Sequence, residues 1–210
     1  MENTDRKSHW EKIHQAKAVH ETSWYQPKPE TSLHMLRKLG VQPTARVIDI
    51  GGGDSLLVDH LLEQGFADIT VLDISEAALE KAKKRLGSQA KNVNWIAADI
   101  TAFEPEERYD VWHDRAAFHF LFREEETSKY VRSAKNCLSK AGLLIVGTFS
   151  DQGPEKCSGL PVRRYSESAL ADCFSQHFEK LNAVSCDHIT PSGGVQNFVF
   201  CGFKKLEEAR

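Results

Sequence analysis

The 210 residues carry 27 Lys and Arg against 30 Asp and Glu, a formal charge of −3, with 40% hydrophobic residues. This is enough chain for one domain with a full core plus a modest extension, in the composition of a soluble globular protein rather than a disordered one. The mild negative charge argues against a nucleic-acid partner, the apolar runs are too short for a bilayer, and residues 1–12 lack an apolar signal core, so a cytoplasmic location is expected. Five cysteines form no CxxC pair, and nine histidines form no HExxH cluster, so reduced thiols and no metal site are expected.

Residues 1–28 are polar and spiked with aromatics, with weak periodicity, and are expected to be an extension or lid ahead of a single domain at 29–210. Pro27 and Pro29 set the boundary. Pro29 suits the first turn of a helix with Leu33, Leu36 and Leu39 on one face, closed by Gly40. RVIDI at 46–50 is a short apolar strand, and 56–64 is a helix stopped by Gly65. DITVLD at 68–73 is the second strand. Ser75 is the N-cap of a helix with Leu79, Ala82 and Leu86 in phase. Strands are expected at 92–97 and 109–113, a helix at 124–138 and a buried strand at 142–149. A polar loop at 150–165 precedes a helix carrying Leu170, Phe174 and Phe178. Strand-like stretches at 180–189 and 196–204 flank a Pro-Ser-Gly-Gly turn at 191–194 and predict an antiparallel hairpin. Strands alternating with amphipathic helices predict a doubly wound α/β fold, with a seven-stranded, mostly parallel sheet and the hairpin at its edge.

The most informative stretch is VIDIGGGDS at 47–55, which joins the first strand to the next helix, where open α/β sheets bind ligands. Asp73 ends the next strand about 20 residues further on, where a carboxylate can bond both ribose hydroxyls. No Gly-Lys-Ser/Thr ending marks a P-loop. Leu56 stands where a dinucleotide fingerprint wants glycine, and Asp49 and Asp54 would repel a pyrophosphate. A cationic ligand with a ribose fits better, and S-adenosylmethionine is such a ligand.

Over about residues 30–204 the chain resembles the class I S-adenosylmethionine-dependent methyltransferases. The resemblance rests on VIDIGGGDS (47–55), VLDIS (71–75), AADI (97–100), YDVWHDRAAFHFL (109–121) and GLLIVGTF (142–149); Ser55 stands where the family often has a third alternate glycine. It implies that Asp49, Gly51, Gly52 and Gly53 cradle the methionine part and the ribose. Asp73 would take the ribose hydroxyls, Ile74 would pack on the adenine, Asp99 would cap its amine, and Ile100 would add a backbone contact. His113 and Asp114 would border the methyl group. Trp24 and Tyr25 are expected in a lid facing the donor.

Methyl transfer from a sulfonium is an in-line displacement that needs alignment and desolvation, and a base only if the acceptor must lose a proton. The catalytic candidates are His113, His119, Asp114 and Tyr25, the histidines because they titrate near neutral pH. Each histidine has a structural alternative. Asp114-Arg115 resembles the Asp-Arg of thiopurine-type methyltransferases and the Asp-Lys of some elongation-factor lysine methyltransferases. In the 150–165 loop, Arg163 and Arg164 are candidates for an acidic acceptor or a solvated pair, and Cys157 for a soft acceptor or an incidental thiol. Three functions stay open: methylation of a small molecule at S, O or N by a monomer or weak dimer, methylation of protein lysine, and non-catalytic binding of the cofactor.

Overall fold

The computed structural model describes residues 3–104 and 107–207, with side chains from residue 6 onward. The chain opens with α1 (Asn3–Ala16) and α2 (Glu30–Lys38), then alternates β1 (Arg46–Ile50), α3 (Leu57–Glu63), β2 (Asp68–Asp73), α4 (Glu76–Leu86), β3 (Val93–Ala97), β4 (Tyr109–Arg115), α5 (Glu124–Cys137) and β5 (Leu138–Phe149). A two-strand ribbon, β6 (Lys156–Cys157) and β7 (Leu160–Pro161), precedes α6 (Glu167–Phe174) and the hairpin β8 (Phe178–Ile189) and β9 (Val195–Lys205).

Among the described residues, seven strands form the main sheet in the order β3-β2-β1-β4-β5-β9-β8. The first five run parallel, and β9 and β8 add antiparallel. The inner strands are buried on both faces, as parallel strands covered by helices must be. In β1, Val47 faces the core under α2 and α3, while Ile48 faces the core under α5 and α6. Strand order reverses between β1 and β4, and their carboxyl ends open a crevice there.

Most element positions agree with the sequence, and the departures have local causes. Residues 3–16 form a helix that apolar periodicity did not predict. Arg6, Trp10 and His14, four residues apart on one face, all line a cavity, so the inward stripe is polar and aromatic. Leu138 opens β5 instead of ending α5, and is fully buried there. Phe178 begins β8 rather than extending α6, yet still packs on Phe174 at 6.1 Å. The 150–165 loop contains the β6–β7 ribbon.

Helices α1 and α4 close each other's ends. Glu11 accepts from the Glu76 and Ala77 backbone N–H groups at 2.6 and 3.1 Å, at the start of α4. Ser75 caps the same end by accepting from Ala78 N–H at 3.2 Å. In return, the Lys81 ammonium donates to the His14 and Lys17 carbonyls at the end of α1.

Candidate functional site

A cavity of about 1060 Å³, its open mouth included, lies beyond the carboxyl ends of β1 to β4 and beneath α1. Its two ends differ in chemistry.

One end is acidic. Asp49 ends buried near the close of β1, and His113 of β4 stands beside it. The His113 ring is 2% exposed, with Nδ1 2.7 Å from Asp49 Oδ1 and Nε2 2.9 Å from Ser32 Oγ. Asp49, an acceptor only, takes the Nδ1–H, and Nε2 is hydrogen-bonded to the Ser32 hydroxyl. The glycine turn follows, with Gly51 at φ +65° and Gly53 at φ +48°. A Cβ on Gly53 would sit 2.9 Å from Asp73 Oδ2, so only glycine lets the loop pass so close to that carboxylate. Asp73 Oδ1 accepts from Ser75 N–H at 2.8 Å. Burial raises the Asp73 carboxyl to about 6; His14 and the Ser75 N–H oppose the shift, while Asp54 and Asp49 add to it.

Asp54 is 1% exposed and neither carboxylate oxygen has a hydrogen-bond partner; His14 Nδ1 is 3.5 Å away. Asp99 uses Oδ1 on Thr101, at 2.7 Å to both N–H and hydroxyl, and its buried Oδ2 accepts no hydrogen bond. Arg6 of α1 lies 3.7 Å from that oxygen and 2.6 Å from Glu126. Ile74 and Ile100 line the same end.

The other end is aromatic. Trp10 meets Trp24 at 5.9 Å and Phe120 at 5.0 Å between ring centres. Arg115 and Cys157 complete this wall. The Cys157 thiol is buried, which raises its pKa and keeps it protonated at neutral pH.

The methyltransferase-domain family matches residues 47–142. Malonyl-[acyl-carrier protein] O-methyltransferase of Anoxybacillus flavithermus is 33% identical over 121 residues, 57% of this chain and 44% of that protein. The eEF1A lysine and N-terminal methyltransferase of Mus musculus is 28% identical over 138 residues, 65% of this chain and 19% of that protein. The chain therefore spans less than half the length of these curated relatives. The N-methyltransferase NodS of Bradyrhizobium japonicum, solved with S-adenosylhomocysteine, shares the fold at a TM-score of 0.71 and 16% identity, covering 94% of this chain and 98% of that one.

Residues 47–142 thus carry the methyltransferase-domain match, and the fold is the one that S-adenosylmethionine-dependent methyltransferases share. The expected cofactor positions Asp49, Gly51, Gly52, Gly53, Asp73, Ile74, Asp99, Ile100, His113 and Trp24 all line the one cavity. Tyr25 does not; it is half-buried beside Trp24.

The expected catalytic residues fare differently. Asp114 is fully buried outside the cavity lining and accepts from Tyr130 hydroxyl at 2.6 Å and from the Ala117 and Phe118 N–H groups. Burial raises its carboxyl to about 6, against those donors. It holds the turn after β4. His119 is fully buried between Phe120 and Phe149, and Nδ1 accepts from Phe149 N–H at 3.3 Å. Burial first, then the Arg115 charge, lowers its pKa to about 3, so it takes no proton at neutral pH. His113 faces the cavity, but both ring nitrogens are engaged. The geometry gives none of His113, Asp114, His119 and Tyr25 the free, cavity-facing base that the sequence suggested. Arg163 and Arg164 also lie outside the lining; Arg164 turns to Glu155 and the Asp151 and Gly153 carbonyls.

The sequence singled out neither Arg6 nor His14; it placed Trp10 in the aromatic-rich extension, Asp54 in the ligand loop, and Arg115 and Phe120 in the 109–121 stretch after the fourth strand, without giving them individual contacts. The four-residue spacing of Arg6, Trp10 and His14 was the available signal, but it is legible only once a polar cavity, not a core, is taken as the helix's partner.

Proposed function

We propose that the chain is an active methyltransferase that uses S-adenosylmethionine on a small-molecule acceptor. The observation that carries the cofactor half is the set of four carboxylates, Asp49, Asp54, Asp73 and Asp99, at one end of the cavity, with Asp54 and one oxygen of Asp99 lacking hydrogen-bond partners. Buried acceptors without donors cost about 1–3 kcal/mol each, and a cationic ligand rich in N–H and O–H groups satisfies them. Asp73 would hold the ribose hydroxyls and Asp99 the adenine amine, while Asp49 and Asp54 would face the positively charged methionine end. When bound, S-adenosylmethionine supplies a methyl group for in-line displacement.

His113 and Ser32 act on this site by fixing Asp49. Residues 1–28, read as a lid, exclude water over the reacting end through Trp10 and Trp24, and alignment in a dry pocket serves such a displacement without a dedicated base. The small-molecule reading is favoured by the aromatic wall and the covering helix, because a lysine acceptor on a protein calls for an open, acidic groove. The free cysteines among the described residues favour a reducing compartment, and we place the chain in the cytoplasm as a monomer or weak dimer.

Radiolabelled S-adenosylmethionine with fractionated lysate tests this reading. Label in small molecules is the expected result. Label confined to protein overturns the acceptor class, and cofactor binding with no label in any fraction overturns the catalytic reading in favour of a binding module.

A further inference from the structure

The Arg115 side chain ends β4 at the aromatic end of the cavity. Its Nη1 donates to the Trp24 carbonyl at 3.0 Å, and its guanidinium lies over the Phe198 ring at 4.8 Å. Its Nη2 is buried and has no hydrogen-bond partner. Among the described residues no carboxylate comes within 4.0 Å of this guanidinium; Asp49, which lines the same cavity, acts on it only at longer range. Burial lowers its pKa to about 10, so it stays charged at neutral pH. A buried cation with an unused donor is costly unless something fills it. One Nη group and the ring face are already committed, which fixes the plane of the fork. A planar fork of this kind matches a carboxylate or phosphate.

We propose that Arg115 is the anchor for an anionic group on the methyl acceptor, so that the acceptor is a small organic acid whose apolar body lies against Trp10, Trp24 and Phe120. This inference rests on the methyltransferase reading above. It makes the cavity bipolar: the carboxylate end receives the cationic donor, and the guanidinium end receives an anion. Arg115 binds and orients in this scheme and carries no proton. A like charge at the acidic end would repel a misplaced acceptor and favour one orientation.

A carboxylate at Arg115 has two sources, the acceptor or the methionine tail of the donor, and calorimetry separates them. The probes are S-adenosylhomocysteine, benzoate, and benzamide as the neutral isostere of benzoate. Titrations use free protein and protein saturated with S-adenosylhomocysteine. The expected result is that wild type prefers benzoate over benzamide by about tenfold or more. Arg115→Gln loses that preference while its affinity for S-adenosylhomocysteine stays within about threefold, and Arg115→Lys keeps part of the preference, because an ammonium offers charge without the fork. The proposal is overturned by equal binding of benzoate and benzamide to wild type, or by a preference that survives Arg115→Gln. It is also overturned if Arg115→Gln abolishes S-adenosylhomocysteine binding, which assigns the guanidinium to the donor's own tail. If Arg115→Gln melts early, Arg115→Lys and the wild-type preference still decide. Wild type that binds benzoate selectively but not S-adenosylhomocysteine overturns the methyltransferase reading and leaves the anion site standing.

Discussion

At the acidic end of the cavity, Asp49, Asp73 and Asp99 stand at or just past the ends of three adjacent strands, β1, β2 and β3. At the aromatic end, Trp10 comes from α1, Trp24 from the connection to α2, Arg115 from the last residue of β4, Phe120 from the turn that follows it, and Cys157 from the ribbon. The first set hangs on hydrogen-bonded strands that fix every Cα. The second is assembled from separate stretches that meet only through one another. Parallel strands give position without help, whereas the aromatic end depends on supporting contacts such as Tyr130 under Asp114 and Glu11 against α4. Changes at the acidic end should therefore act on donor affinity, and changes beneath the aromatic end on stability.

Asp73→Ala is the sharpest break. Losing two charge-assisted bonds to a ribose should weaken S-adenosylhomocysteine by about 100-fold, with the melting curve little moved. Unchanged calorimetric affinity refutes the placement of the ribose. Next comes Tyr130→Phe. It strips a 2.6 Å donor from buried Asp114 and an acceptor from Trp112 Nε1 at 2.9 Å. A loss of about 2 kcal/mol in denaturant unfolding is expected, with donor affinity kept. A Tyr130→Phe protein as stable as wild type would show that Asp114 is not the prop of the turn.

The third prediction concerns pH. In its proposed ribose role Asp73 accepts hydroxyls on both oxygens only as a carboxylate, and its folded pKa is raised to about 6. Donor affinity should be full above that value and fall on acidification through it, approaching about tenfold per pH unit for a single proton. A flat profile from about pH 8 to about pH 5 contradicts the assignment. The smallest effect belongs to Glu11→Ala, which uncaps two N–H groups of α4. About 1 kcal/mol of stability should be lost in thermal or chemical melts. No change would mean that water replaces Glu11 without loss.

Much of this contrast was legible in the sequence. RVIDI and DITVLD declared strands because short stretches rich in β-branched and apolar residues between turn residues admit little else, and Ser75 declared a cap. The acidic end followed because each of its residues sits in the same short segment as the strand that carries it. The aromatic end did not follow, since no local pattern says that Trp10 and Phe120 are neighbours across the cavity. Helix α1 escaped because its buried face reads Arg6, Trp10 and His14. The histidine roles failed for a related reason: His113 and His119 have side chains suited to catalysis, but burial and hydrogen-bonding partners, set by β1, α2 and β5, decide what they do.

The exchange of end caps between α1 and α4 has a consequence for access. Glu11 completes the first turn of α4, and that turn begins two residues after Asp73, whose carboxylate already accepts from Ser75 N–H. On the lid reading proposed above, the covering helix and the binding floor are one mechanical unit. Swinging α1 aside to admit a ligand would then also loosen the peptide that aims Asp73, so an opened protein would grip the proposed ribose less well. Entry and grip would oppose each other in this fold, and removal of residues 1–28 should give a poorer receptor, not merely a more open one.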